Sequence, residues 1–324
     1  MFKKALFSAL ALSALSFASA AQAQNLVLYT SQPAADAQMT VEAFEKANPG
    51  VKVEWVRDGT TKLMTKFRSE LAAGVVNPDV LLIADSVTLE QLKSEGLLQA
   101  YDAAEKSHYD SSLFDAEGYY YGTKLITTGI AYHRDAEQKP KSWNDLLKPE
   151  YKNLAAMPSP LYSGAALIHL STLTTNKDFG WSYYEGLKNN GMAAQQGNGS
   201  VMTAITTGVK PYGVLVDYMA IREKLKGAPI EFVFPEEGVS MVTEPVAILK
   251  DAKQPDLARK FVDFVLSEEG QKLVLQQGYL PARNGMSSPE GFPARDDIKL
   301  LPFDAAQALK NADADKAQFA KIFE

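Results

Sequence analysis

The 324-residue chain has no cysteine. That excludes disulfides, thiolate metal sites, a cysteine nucleophile and a lipid-modified cysteine. Histidine occurs three times, at His108, His133 and His169, and no two of these have metal-ligating spacing. Lys and Arg total 33 against 39 Asp and Glu, for a formal charge of −6. An acidic chain argues against general nucleic-acid binding. After the first two dozen residues, no stretch approaches the roughly 20 apolar residues of a membrane span. There is also no G-x-S-x-G elbow, no H-E-x-x-H and no Walker loop. No enzymatic activity and no cofactor are expected.

The sequence opens with Lys3 and Lys4, then the apolar, small-residue stretch "ALFSALALSALSFASA", then Ala21-Gln22-Ala23. This is the pattern of a secretory signal peptide, residues 1–23, with export to a bacterial periplasm as the expected outcome. About 300 residues remain, enough for two lobes with separate cores.

"NLVLYTSQP" predicts a short strand and a turn. "DAQMTVEAFEKANPG" has helical spacing and an Asn-Pro-Gly stop. "VKVEWV" alternates like a strand, "TTKLMTKFRSELAAG" is amphipathic, "PDVLLIAD" is a continuous apolar run and "SVTLEQLKSEG" is helical again. This alternation predicts a parallel sheet with helices on both faces. A second series begins near residue 125 with the strand "LITTGIAYH". It continues through "LAAMPSPLYSGAALIHLSTL", "GNGSVMTAITTG" and "KPYGVLVDYMAIREKL". "IEFVFPEEG" and "MVTEPVAILK" read as strands returning to the first lobe. In such sheets ligands bind at the carboxyl ends of strands, where loops enter helices. Loops of this kind carry Ser31-Gln32, Asp58-Gly59-Thr60-Thr61 and Asp85-Ser86 in the first lobe.

"AFEKANPGVKVEWV", "NPDVLLIAD", "SWNDLLKPEYKN" and "FVDFVLSEEGQKLVLQQGYLPAR", together with the leader, resemble the periplasmic solute-binding proteins of bacterial ABC importers. The similarity is to the ferric-ion-binding branch of the type II fold and covers nearly the whole mature chain. It implies an α/β protein of two lobes, a type II periplasmic binding protein hinged by two crossover strands. The expected division is 24–125 plus 232–324 for the first lobe and 126–231 for the second. It further implies a monomer that closes on a solute and hands it to an ABC permease in the inner membrane, with no chemistry and no nucleic acid involved.

Iron binders of this branch use a His, a Glu and two adjacent Tyr. Here those positions fall at Pro33, Asp85 and the pair Tyr218-Met219, so a ferric site would rest on Asp85 and Tyr218 alone. The donors for an anion, in contrast, are plentiful. Ser31, Thr60, Thr61, Ser163, Gly164, Asn198 and Ser200 lie where loops enter helices, and N–H groups and hydroxyls at helix starts favour negative charge. Gln32, Gly59, Ser86 and Thr127 are placed beside them. Asp58, Asp85, Asp217 and Glu237, with Glu244 a further acid near the cleft, suggest that the solute also carries hydroxyls or an ammonium. Tyr218 would supply an aromatic wall for the latter. The expected ligand is a small anionic or zwitterionic solute, a phosphonate or organophosphate such as an aminoalkylphosphonate. The alternative is ferric ion with a synergistic anion.

Overall fold

The computed structural model describes residues 24–324; the expected signal peptide lies outside them. In chain order the first elements are β1 (Gln24–Thr30), α1 (Ala34–Ala47), β2 (Val51–Arg57), α2 (Thr60–Ala72), β3 (Val80–Leu82), α3 (Ser86–Ser94), β4 (Leu98–Gln99) and β5 (Tyr120–Gly122). β6 (Lys124–His133) leads to β7 (Ala155–Pro158), α4 (Gly164–Thr175), α5 (Gly180–Asn189), β8 (Ala193–Gln195), α6 (Asn198–Thr206), β9 (Tyr212–Val216) and α7 (Asp217–Leu225). The remainder is β10 (Ile230–Val233), β11 (Ser240–Val242), β12 (Pro245–Leu249), α8 (Pro255–Leu266), α9 (Glu268–Gln276), β13 (Leu280–Pro281) and α10 (Ala305–Phe323).

The first sheet has the order β2-β1-β3-β12-β4, with β5 also paired to β12. β1 runs parallel to β2 and β3, as the βα alternation predicts, but β12 enters antiparallel between β3 and β4. β1 is buried on both faces. Leu26 and Leu28 pack with Phe44 of α1 and Phe261 of α8. Tyr29, on the other face, packs with Leu63 and Phe67 of α2 and with Leu89 of α3. An all-apolar strand needs helices on both sides, and the periodic apolar residues of those helices provide them.

The second sheet has the order β10-β6-β9-β7-β8. One face packs on Trp143, Leu170, Tyr183 and Phe319. The other packs on Val201 and Ile205 of α6 and Ala220 of α7. Buried His169 of α4 sits against Trp143, ring centroids 4.8 Å apart, with Nδ1 2.9 Å from Ser240 Oγ.

β10 and β11 both pair with β6 in the second sheet, and β12, from Pro245, pairs in the first. α10 packs on both lobes. Its Phe319 joins the Trp143 core of the second lobe, while its Ala308 and Ala312 share a cluster with Val87 of α3.

Two strands cross between the sheets, β6 and the continuous β11–β12 segment. They are clamped where they pass. The N–H groups of Thr123 and Lys124 both donate to Thr243 O at 3.0 and 3.2 Å, and Thr123 Oγ1 donates to Glu244 O at 2.8 Å. Glu244 has φ +39°, a left-handed conformation uncommon outside glycine, and it turns β11 out of one sheet and β12 into the other. Its carboxylate lies 2.5 Å from Lys124 Nζ, with the two side chains 3% and 1% exposed. The same ammonium stands 4.3 Å over the Tyr279 ring. Deeper in the second lobe, Asp217 Oδ2 accepts from Thr127 N and Oγ1 at 2.8 and 2.7 Å, tying α7 to β6.

Two stability measurements follow from these contacts. Lys124→Met strands the Glu244 charge in the hinge and should cost roughly 3–5 kcal/mol in urea denaturation. Adding Glu244→Gln should recover most of that loss. Burial pushes the Asp217 carboxyl up to about 7 despite its three hydrogen-bond donors. The stability linked to a raised acid is full below its unfolded pKa, about 4, and is lost as pH rises through its folded value. The difference in urea midpoint between wild type and Asp217→Asn should therefore move against wild type between about pH 4 and pH 7. A difference that stays flat over that window would contradict this account.

Candidate functional site

Between the sheets lies a cavity of about 430 Å³. It is lined by the starts of five helices, two from the first lobe and three from the second. Pro33 precedes α1, Gly59 precedes α2, Ser163 precedes α4, Gly197 precedes α6 and Val216 precedes α7. The first N–H groups of a helix have no partner within it. At four of these five starts the residue before the helix makes no side-chain cap: Pro33, Gly59, Gly197 and Val216. Of the helices that begin elsewhere, α3, α9 and α10 are capped by Asp85, Ser267 and Asp304, while α5 and α8 also begin without a side-chain cap. In α7 Asp217 Oδ1 accepts from Tyr218 N at 2.6 Å, and the other first-turn donors of these four starts have no cap residue to take them.

Side chains hold these starts in register. In the first lobe, Arg57 at the carboxyl end of β2 donates through Nε to Gln32 O at 2.7 Å, and its guanidinium joins the cavity wall. Ser31 Oγ accepts from Ala84 N at 2.8 Å, joining the loops after β1 and β3. Asp58 Oδ1 accepts from Gly59 N at 2.8 Å and lies 3.8 Å from Lys62 Nζ. In the second lobe, Asn198 is the tie. Its Nδ2 donates to Ser163 Oγ at 3.4 Å and its Oδ1 accepts from Val216 N at 3.3 Å, linking the starts of α4, α6 and α7.

The charge balance favours an anion. Arg57 and Lys62 line the cavity with Asp58 and Glu244, but Glu244 is already paired with Lys124. Beneath the cavity the Tyr218 ring packs 4.5 Å from that of Tyr279. The Arg222 guanidinium stands 4.7 and 4.2 Å over the two rings and bonds Asp36 of α1 at 2.9 Å. Tyr279 OH donates to the same carboxylate at 2.5 Å. Burial, and then the Glu244 charge, raise the Tyr218 hydroxyl, so it is a neutral donor.

Of the residues named from sequence, the structure brings Ser31, Asp58, Gly59, Thr60, Ser163, Gly164, Asn198, Ser200 and Tyr218 to this one cavity. Seven others lie apart from it, for identifiable reasons. Asp85 is consumed as the cap of α3, its Oδ1 accepting from Val87 N and Thr88 N at 2.9 and 3.2 Å while Thr88 Oγ1 donates to Oδ2. With Thr61 it lines a second gap of about 520 Å³ between α2, α3, α4 and α10. Ser86 lines neither space. Thr127 and Asp217 satisfy each other. Gln32 is buried behind the wall with Nε2 3.4 Å from Glu244 Oε2. Glu237 accepts from Ser142 Oγ and Trp143 N and caps a short turn in the second lobe. The two residues of the ferric alternative, Asp85 and Tyr218, therefore face different spaces. Among the described residues no group of three or more His, Cys, Asp and Glu could hold a metal.

Sequence reasoning missed Arg57, Lys62 and Gln196 as wall residues, and did not place Glu244 at the hinge. Arg57 had a usable signal, since it ends a strand in a parallel sheet. Glu244 had none, because its position depends on where β11 crosses.

Residues 76–311 match the family described as bacterial extracellular solute-binding protein. An uncharacterized protein of Haemophilus influenzae is 29% identical over 86% of this chain and 84% of its own. A probable ABC transporter periplasmic-binding protein, y4fP of Sinorhizobium fredii, is 26% identical over 75% and 70%. Among solved structures, iron-bound HitA from Pseudomonas aeruginosa superposes with a TM-score of 0.80 at 26% identity, covering 92% of this chain and 99% of that one. The periplasmic binding protein AfuA from Actinobacillus pleuropneumoniae, with exogenous fructose-6-phosphate bound, superposes with a TM-score of 0.82 at 23% identity, covering 93% and 98%. With its two lobes, its crossing strands and a donor-lined cavity between them, this chain belongs to the bacterial extracellular solute-binding protein family: it is the substrate-binding component of an ABC importer, a partner of an ABC permease and not an enzyme.

Proposed function

We propose that the solute is a small phosphate ester or phosphonate, such as an aminoalkylphosphonate, captured in the periplasm by a monomer whose lobes close around it. The observation that carries this reading is the convergence of five helix starts, four of them without a side-chain cap, on one cavity. Free N–H groups and aligned peptide dipoles stabilise a compact anion without needing a net positive protein. Arg57 and Lys62 add two cationic side chains from the first lobe. Contacts from both lobes lower the closed state relative to the open one, which is how binding becomes closure.

Glu244, Asp58 and the half-exposed Tyr162 address the other end of the solute. Carboxylates beside a phosphoryl group are repulsive unless the solute brings an ammonium or hydroxyls to meet them. That chemistry fits an aminoalkylphosphonate or a sugar phosphate. The ligands named for the similar structures, iron for HitA and fructose-6-phosphate for AfuA, bracket the choice. Ferric ion is disfavoured because Asp85 is occupied as a helix cap and lines a different space from Tyr218.

Thermal-shift screening of 2-aminoethylphosphonate, hexose 6-phosphates, glycerol phosphate and inorganic phosphate, each with and without Fe(III), tests the reading. A phosphonate or phosphate ester should raise the melting midpoint, because binding only the native state stabilises it, and the loaded protein should remain colourless. A visible phenolate-to-iron band on adding Fe(III), with no response to the organic anions, would overturn the proposal.

For whichever panel member binds, Arg57→Ala and Thr60→Val should each weaken affinity in calorimetry. A lost charge-assisted hydrogen bond corresponds to about tenfold or more. Asp85→Ala should leave affinity within about twofold while reducing stability by about 1 kcal/mol, the value of a helix cap.

A further inference from the structure

The gap between the lobes is interrupted. The 430 Å³ cavity and the 520 Å³ gap share Thr60 and Gly164 as walls and are separated where α4 of the second lobe meets the starts of α2 and α3 of the first. Gly164 is the first residue of α4. A Cβ placed on it would lie 2.8 Å from Asp85 Cβ, 2.9 Å from Ala84 O and 3.1 Å from Thr60 Oγ1. All three are first-lobe atoms, and two of the distances are shorter than real Cβ contacts reach. A second glycine stands close by: a Cβ on Gly59 would lie 3.4 Å from Tyr162 O, again across the lobes.

The backbone of Gly164 does not call for glycine. Its φ lies outside the left-handed region, unlike that of Gly118 or Gly238, so a residue with a side chain could adopt the same backbone. The three nearest atoms to that Cβ, outside its own helix backbone and chain neighbours, all belong to the other lobe. We infer that Gly164 is the closure stop of this protein. It is a positioning residue whose missing side chain lets the start of α4 seat against Asp85, Ala84 and Thr60, so that helix starts of both lobes reach one solute together. The inference concerns how the lobes meet and does not rest on the identity of the solute.

A methyl group at this point must be accommodated by moving one lobe off the other. Ala84 O is backbone, and the Asp85 side chain is locked as the cap of α3, so neither yields easily. The wedge acts on closure and leaves each lobe intact. Packing in the lobe cores would be unchanged, while the closed state would lose population.

The absence of cysteine makes this directly measurable. With Gly59→Cys and Tyr162→Cys as the only thiols, oxidation of the ligand-free protein traps closure as a disulfide, which needs Cα atoms about 4.4–6.8 Å apart. Cross-linking should proceed with Gly164 present, slow by about tenfold with Gly164→Val, a closed-state penalty of about 1.4 kcal/mol, and fall between these with Gly164→Ala. Melting midpoints of the Ala and Val variants, without the thiols, should stay within about 3 °C of wild type, since neither changes a lobe core. Three results would each overturn the inference. One is no cross-link in the Gly164 background, which would mean that the lobes do not meet here. Another is equal trapping rates with Gly164→Val. The third is a large fall in midpoint with Gly164→Ala, which would place the contact inside a rigid folded unit.

Discussion

The first N–H groups of an α-helix must bond to something outside it. Much of this molecule is arranged around that requirement. Some helix starts are finished locally: Asp85, Ser267 and Asp304 close α3, α9 and α10 with their own side chains. At four of the five starts around the cavity, glycine, proline and valine occupy the corresponding positions and supply no cap. Both sheets point the carboxyl ends of strands inward, so these open starts face one another across the lobes.

Such a site works only if the two halves keep their relation through opening and closing. The crossing strands provide that relation. Thr243 O receives two backbone donors, and the Lys124–Glu244 pair fills the space between the strands. Buried ion pairs add little net stability but specify arrangement, because any alternative that separates them leaves a charge in a dry environment. Here the arrangement specified is the crossing itself. The Arg222 contact with Asp36 adds a second charged link between the lobes, set directly beneath the cavity. The polar residues below the cavity are therefore the joint, and the residues above it are the grip.

How far the site was legible follows from the kind of signal each residue carries. Gly59, Ser163, Gly164, Asn198 and Ser200 could be read because a loop between an apolar strand and an amphipathic helix locates a helix start, and the sheet rule puts that start at the cleft edge. Asp85 and Thr61 satisfy the same rule and still face the other gap, because α3 is closed by its own cap and the Gly164 contact seals the passage between the two spaces. Glu237 and Asp217 looked like free carboxylates. Each had a local donor set, at Ser142 with Trp143 and at Thr127, that is invisible until the strands are paired. The placement of α10 across the two lobes was unreadable for a related reason: an amphipathic helix shows that it has a buried face but not which surface receives it.

By itself the sequence determined the class, the βα rhythm, the two cores and most of the helix starts, because apolar periodicity and turn chemistry are local properties of the chain. The tertiary structure decided which donors share a space, which carboxylates are already spent, and where the chain crosses between the lobes. Those depend on distances between segments far apart in the chain, as with Lys124 and Glu244 or Gly164 and Asp85, and no local pattern encodes a distance of that kind.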